Sequence, residues 1–243
     1  MSDNRLDNER EHGKKISSHA EDVWNWSSPA GQVRANRRAE LMILTAKIAK
    51  EDQALEIGCG TGLFTGKVQQ ATGAEITAID ISQDLLDQAK EKYRDVNFKI
   101  DDAMSLSFED QSFSVVYGSS VLHHLDMMKA MQEIYRVLKP GGRIVFAEPN
   151  MLNPQIFVQK NVPVIKRMLG DSPDETAVVR WSFNNMLKET GYVNTKVFPY
   201  DFLHPITPKP LVGVVNSIGK LVEKLPVLKE IAGSVIIYGE KKK

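Results

Sequence analysis

Leu55-Glu56-Ile57-Gly58-Cys59-Gly60-Thr61-Gly62 reads as a short apolar strand that runs into a glycine-rich turn and opens a helix. Glycines in such a turn let the backbone approach a ligand closely, and a helix N-terminus offers N–H groups to an anionic group. The plainer alternative is a tight strand–helix connection with no ligand. Spacing narrows the ligand class. A dinucleotide fingerprint requires G-x-G-x-x-G. Here Leu63 stands where the third glycine would be, and the pattern is G-x-G-x-G. That departs from a nicotinamide-cofactor site.

Working outward, hydrophobic periodicity gives an alternating scheme. Upstream, residues 33–49 place Leu41, Leu44, Ile48 and Ala49 at helical spacings. The first strand is 54–57, followed by a helix over 63–71 and a second strand over 75–79. Ser82 is placed to cap a helix reaching Tyr93. Strands over 96–100 and 113–117 follow, then a helix over 127–138 stopped by Pro140-Gly141-Gly142, and a strand over 143–147. The alternation predicts an α/β fold: a mostly parallel sheet with helices on both faces. After Glu148, Pro149, Pro154, Pro163 and Pro173 punctuate an irregular stretch with one apolar helix near 156–169. A helix over 181–190 and strands over 193–198 and 235–238 close the chain. One domain over 1–243 is expected, with substrate-side insertions at 151–178 and 204–232.

Composition excludes several classes. Lys+Arg and Asp+Glu are both 31, which removes the basic excess a nucleic-acid binder needs. A single cysteine, Cys59, rules out an internal disulfide framework. Residues 1–15 have no apolar core of a signal peptide, and no run approaches the ~18 apolar residues of a membrane span. A cytoplasmic protein is expected. Residues 1–18 are polar and charged, so disorder or a loose cap is expected there, and 1–30 as a whole reads as a flexible or lid-forming segment. Trp24 and Trp26 sit in it, suited either to a lid over a substrate or to a small packed cap.

Two further strand ends carry acids. Asp80 closes the second strand, 80−62 = 18 residues past Gly62, where a carboxylate can accept both hydroxyls of a ribose. It could instead cap the next helix, a task for which Ser82 is better placed. Asp101-Asp102-Ala103 follows the third strand. All three features fall on one sheet edge, where open α/β sheets bind ligands.

These segments, with "SFSVVYGSSVLHHL" and "RVLKPGGRIVFAEPN", resemble the successive motifs of class I S-adenosylmethionine-dependent methyltransferases over about residues 53–150. The resemblance implies a Rossmann-like, seven-stranded sheet with an antiparallel last strand, and S-adenosyl-L-methionine as cofactor. It places Gly58, Gly60 and Gly62 at the methionine portion, Asp80 at the ribose, Asp102 and Ala103 at the adenine, and Ser119 beside the cofactor, with Cys59 and Ile81 also among the cofactor-binding residues. Arg34 could pair with the cofactor carboxylate or lie on a solvated helix face.

Methyl transfer is an in-line displacement, so positioning and water exclusion can supply much of the rate. An O or N nucleophile can also need a base. His123, His124 and Glu148 follow the fourth and fifth strands on the same edge and are the catalytic candidates, His123 first. Each could instead pack, cap or stay solvated. No metal is expected, since the Asp/Asn constellation of metal-dependent relatives is missing.

The expected activity is methyl transfer to O, N or C of a small acceptor; the alternative is a non-catalytic cofactor-binding or regulatory protein of the same fold. Leu211, Val214, Val215, Ile218, Leu221, Val222 and Leu225 form an apolar stripe in 208–231. It is expected to wall a substantially apolar acceptor site. A homodimer interface competes, so monomer and homodimer both stay open. Glu223 beside Lys220 and Lys224 argues against membrane docking.

Overall fold

The structure is a computed structural model that describes residues 4–169, 171 and 175–243; Pro173 lies outside the described residues. Three helices come first: α1 (Asn4–Ile16), α2 (Ala20–Val23) and α3 (Pro29–Ala46). Strands and helices then alternate as β1 (Gln53–Ile57), α4 (Leu63–Thr72), β2 (Glu75–Asp80), α5 (Gln83–Lys92), β3 (Asn97–Ile100) and β4 (Phe113–Ser119). There follow α6 (Met127–Val137), β5 (Leu138–Pro149), α7 (Pro154–Asn161), α8 (Pro163–Met168) and α9 (Arg180–Thr190). The chain closes with β6 (Val193–Tyr200), α10 (Val212–Val222) and β7 (Ser234–Glu240).

The seven strands form one sheet in the order β3-β2-β1-β4-β5-β7-β6. β7 runs antiparallel to both neighbours and the other strands run parallel, as the motif order implies. One face is covered by α3, α4 and α5 through Met42, Val68 and Leu86. The other is covered by α6 and α9 through Met131, Ile134 and Leu187. Each of these side chains is fully buried and stabilises the fold by roughly 1.5–3 kcal/mol. Strand order reverses between β1 and β4, so the crevice beyond their carboxyl ends is where the fold presents a ligand site.

Local chemistry sets the boundaries. Ser28 caps α3 by accepting from the Gly31 N–H at 2.9 Å, with Pro29 in the first turn. Asp126 caps α6 through the Lys129 N–H. The expected single helix near 156–169 is two, because Pro163 removes a donor and restarts the helix after Val162.

Two expectations are corrected here. Residues 4–16, expected to be disordered or loose, form α1. Ile16 gives the reason: it packs with Ala20 and Leu85 against α5. The insertion after Pro208 also differs. α10 buries Val212 and Gly219 against Leu203, Ala30 and Phe202, and leaves Leu211, Val214, Ile218, Leu221 and Leu225 exposed. Its inward face is itself apolar and takes in Val215, so five of the seven residues of the stripe read from the sequence point to solvent, and none of the seven lines the cavity.

Candidate functional site

The carboxyl ends of β1, β2 and β4 open into one cavity of about 660 Å³. Its floor is the glycine turn. Gly58 and Gly60 have φ of +65° and +52°, where side chains are strained. A Cβ on Gly58 would lie 2.4 Å from Val121 Cγ2, and one on Gly60 would lie 2.9 Å from Trp24 Cη2. A side chain at either position would collide with a residue of the cavity wall, so the turn requires glycine.

Asp80 holds the turn in place. One carboxylate oxygen accepts from the Gly60 N–H at 2.8 Å, the other from the Ser82 N–H at 2.9 Å. Ser82 is the N-cap residue of α5 but its hydroxyl makes no cap bond, and Asp80 fixes the turn that leads into the helix. Burial pushes the Asp80 carboxyl above its ordinary value, against the pull of these amides. Each oxygen retains a lone pair, and the residue lines the cavity beside Ile81.

Opposite, Arg38 is buried with three hydroxyl partners: Ser119 at 3.0 Å, Ser120 at 2.7 Å and Ser234 at 3.0 Å. Its Nε is buried without a hydrogen-bond partner. A buried guanidinium held by neutral groups presents uncompensated charge to the cavity it lines. Arg34, one helical turn earlier, is instead paired to Asp201 at 2.7 Å. Trp26 lies beneath both, its ring centroid 5.0 Å from the Arg38 guanidinium carbon and 5.4 Å from the Phe64 ring. Trp24 and Trp26 both line the cavity.

Residues 55–146 match the methyltransferase domain family. A demethylmenaquinone methyltransferase of Staphylococcus aureus is 33% identical, with the match covering 62% of this chain and 71% of that enzyme. The chain belongs to the class I S-adenosylmethionine-dependent methyltransferases. A methyltransferase-like protein of Schizosaccharomyces pombe is 28% identical over 71% of this chain and 66% of its own length. The fold is also that of Haemonchus contortus phosphoethanolamine N-methyltransferase 2 with S-adenosylhomocysteine bound (TM-score 0.69, 17% identity). That likeness covers 96% of this chain but only 60% of that protein.

S-adenosylmethionine is the cofactor of this methyltransferase, and the cavity's donor set suits it. Arg38 offers an unneutralised cation to a carboxylate, Asp80 an acceptor pair to vicinal hydroxyls, and the Gly58–Gly60 backbone close approach. Cys59, Ala103 and Ser119 line the same cavity. Two expected cofactor residues do not. Gly62 faces Tyr93 and Ala89 of the α5 region, and Asp102 turns back to cap the Met104 N–H at 2.8 Å, leaving Asp101 and Ala103 on the wall.

Beyond the fourth strand, a 3₁₀ turn over Leu122–His124 carries both histidines. Glu148, fully buried on β5, does not reach the cavity wall. It accepts from the N–H groups of Val121 (2.9 Å) and Leu122 (3.0 Å) and contacts His123 Nδ1 at 2.7 Å. His123 Nε2 lies 3.3 Å from Glu175. Burial alone would lower the His123 value, but the bonds to Glu148 and Glu175 outweigh it and raise it to about 9. Burial likewise opposes the ionised Glu148, whose carboxyl is nonetheless lowered by His123 and the two amides. At neutral pH His123 is therefore an imidazolium with both N–H groups engaged. It holds a proton instead of taking one.

His124 differs. It is half-buried on the cavity wall, its ring 4.2 Å from that of His123, and its Nδ1 lies 3.1 Å from Glu9 Oε2 of α1. Donor atoms of His123, His124 and Glu175 fall within 4.8 Å of one another, yet the Lys160 ammonium already contacts the Glu175 oxygen. That position holds a cation of the chain's own. Sequence reasoning missed Arg38, Glu9, Lys160 and Glu175. For Arg38 a signal existed: it shares a helix face with Arg34 one turn away.

Proposed function

We propose that this chain transfers a methyl group to an O, N or C nucleophile of a small, substantially apolar acceptor. The carrying observation is the layout of the one cavity. Beside Gly58, Gly60, Asp80 and Arg38 its lining carries the apolar side chains of Leu125, Ile156, Leu169, Pro205 and Ile206, with Gln155, Gln159 and Lys160 among them. The resemblance to a demethylmenaquinone methyltransferase supports an apolar acceptor.

When bound, S-adenosylmethionine supplies an activated methyl group on a sulfonium. Arg38 binds the cofactor's carboxylate and Asp80 its ribose. Trp24 and Trp26 exclude water from these partners, which strengthens both contacts. His124, on the cavity wall with the Glu9 carboxylate nearby, takes the acceptor's proton at a ring nitrogen. His123 is a positioning residue: fixed by Glu148 and Glu175, it anchors the turn that presents His124.

The test is transfer of labelled methyl from the cofactor to a panel of acceptors of graded polarity. Turnover confined to apolar phenolic or quinol-like acceptors supports the proposal. Turnover on polar amines alone would replace the acceptor class. Cofactor binding without turnover on any acceptor would favour a non-catalytic cofactor-binding protein.

A further inference from the structure

The geometry points to a lipid-docking surface at the mouth of the cavity, formed by α7–α8 and by the α10 region, and selective for anionic lipid. Fifteen of the twenty exposed large apolar side chains among the described residues fall in two segments, 157–169 and 206–231. A soluble surface scatters such residues singly, so their concentration marks an interaction site. Both segments reach the cavity rim. Leu169 is 58% exposed and Ile206 is 75% exposed, and each also lines the cavity.

Charge selects the occupant. From 151 to 169 the chain carries no acid and, besides Lys160, whose side chain is only 6% exposed and is paired to Asp171 and Glu175, the basic Lys166 and Arg167, although the whole protein is neutral. From 203 to 229 it carries Lys209, Lys220, Lys224 and Lys229 against one acid, Glu223. The sequence placed Glu223 beside the lysines, where it would repel an anionic surface. In the fold it turns inward, bonded to both terminal nitrogens of Arg37 and to the Asp201 N–H. Glu230, the next acid, is likewise taken up by Arg180. Lys209, Lys220 and Lys224 stay exposed. Along α10 and its two flanks the outward stripe of Leu211, Val214, Ile218, Leu221 and Leu225 is thus bordered by Lys220 and Lys224, the pattern of a helix lying in a bilayer interface. A second copy of the chain would bring the same lysines face to face, which disfavours self-association through this face.

Docking in this way would place the cavity mouth against the acyl region, a route for an apolar acceptor that need not cross water. Docking through this surface is independent of which acceptor is methylated.

The experiment is co-sedimentation of the full chain with vesicles of phosphatidylcholine alone and of phosphatidylcholine with an equal part of phosphatidylglycerol. Binding to the anionic vesicles only, weakened by raised salt, is the expected result. Lys220→Gln with Lys224→Gln should weaken it about 30-fold, at about 1 kcal/mol per lysine near an anionic surface. Ile218→Ser with Leu221→Ser should also release the protein, with S-adenosylhomocysteine affinity by calorimetry unchanged. Equal binding to both vesicle types, or to neither, overturns the proposal. So does sedimentation velocity showing a dimer that the Ile218/Leu221 variant dissociates.

Discussion

Arg38 Nη1 meets Ser119 Oγ at 3.0 Å, joining α3 to the end of β4 across 81 positions of sequence, with no carboxylate among its hydrogen-bond partners in the described residues. A buried cation in that state is held ready for an anion. Arg38→Ala should therefore weaken S-adenosylhomocysteine binding about ten- to a hundredfold, as expected for a charge-assisted hydrogen bond of ~1.5–3 kcal/mol. Arg34→Ala should mainly lower the melting temperature, since its partner is Asp201. Titration calorimetry of both variants decides; an equal loss of affinity would make Arg34 the anchor.

The histidine pair separates by pH. His123 rises from its ordinary 6.5 to about 9 in the fold. Its stabilising contribution is then complete below about 6.5 and is lost as pH rises through about 9. Turnover should fall above pH 9 as the turn loosens, and His123→Gln should lack that alkaline limb. His124→Gln should cost about 10²–10⁴-fold in turnover, with cofactor affinity retained. If His123→Gln alone shows the larger loss, with the melting temperature unchanged, the proton acceptor is His123.

Glu56 makes a second pH-dependent contribution. Burial raises its carboxyl to about 8, against hydrogen bonds from Thr65 and Tyr117. A raised value means the stability it supplies is complete below about 4.5 and is lost as pH climbs toward 8. Glu56→Gln keeps an acceptor and cannot ionise. Its stability relative to wild type should improve by roughly 3 kcal/mol between pH 4.5 and 7, in denaturant titrations. A difference independent of pH would contradict the assignment.

Gly60→Ala should weaken cofactor binding more than it destabilises the fold. Its φ of +52° is strained for alanine by about 1–2 kcal/mol, and the new Cβ would press on Trp24 at the cavity wall. Gly73→Ala, at φ +69° but against the Lys50 side chain only, should carry the stability loss without the binding loss. Thermal shift with and without S-adenosylhomocysteine distinguishes them.

The sheet was legible because each buried strand is an apolar run bounded by Gly, Asp or Pro, and the motif order supplied the antiparallel β7. Gly58, Gly60 and Asp80 were legible because they follow strands directly, so sequence position fixes spatial position. Arg38 and Arg34 were not separable: which of them stays unneutralised depends on Asp201, a residue 167 positions from Arg34. Lys160 falls in the expected helix near 156–169, but its partner Glu175 lies in the irregular stretch beyond it, where no periodicity orients a side chain. The stripe on α10 was legible as a stripe but not as an exposed one. Both faces of that helix are apolar, and only packing of Val212 and Gly219 shows which is inward.

The most direct test of the account is single-turnover transfer of labelled methyl from S-adenosylmethionine to an apolar quinol-like acceptor, run on wild type and on His124→Gln. The account predicts one equivalent of S-adenosylhomocysteine and of organic-extractable label from wild type, slowed at least a hundredfold in the variant at equal cofactor occupancy. Full-rate transfer by the variant would remove His124 from the chemistry. Absence of transfer by wild type, across the apolar acceptors and with the cofactor demonstrably bound, would contradict the assignment of methyl transfer to an apolar acceptor.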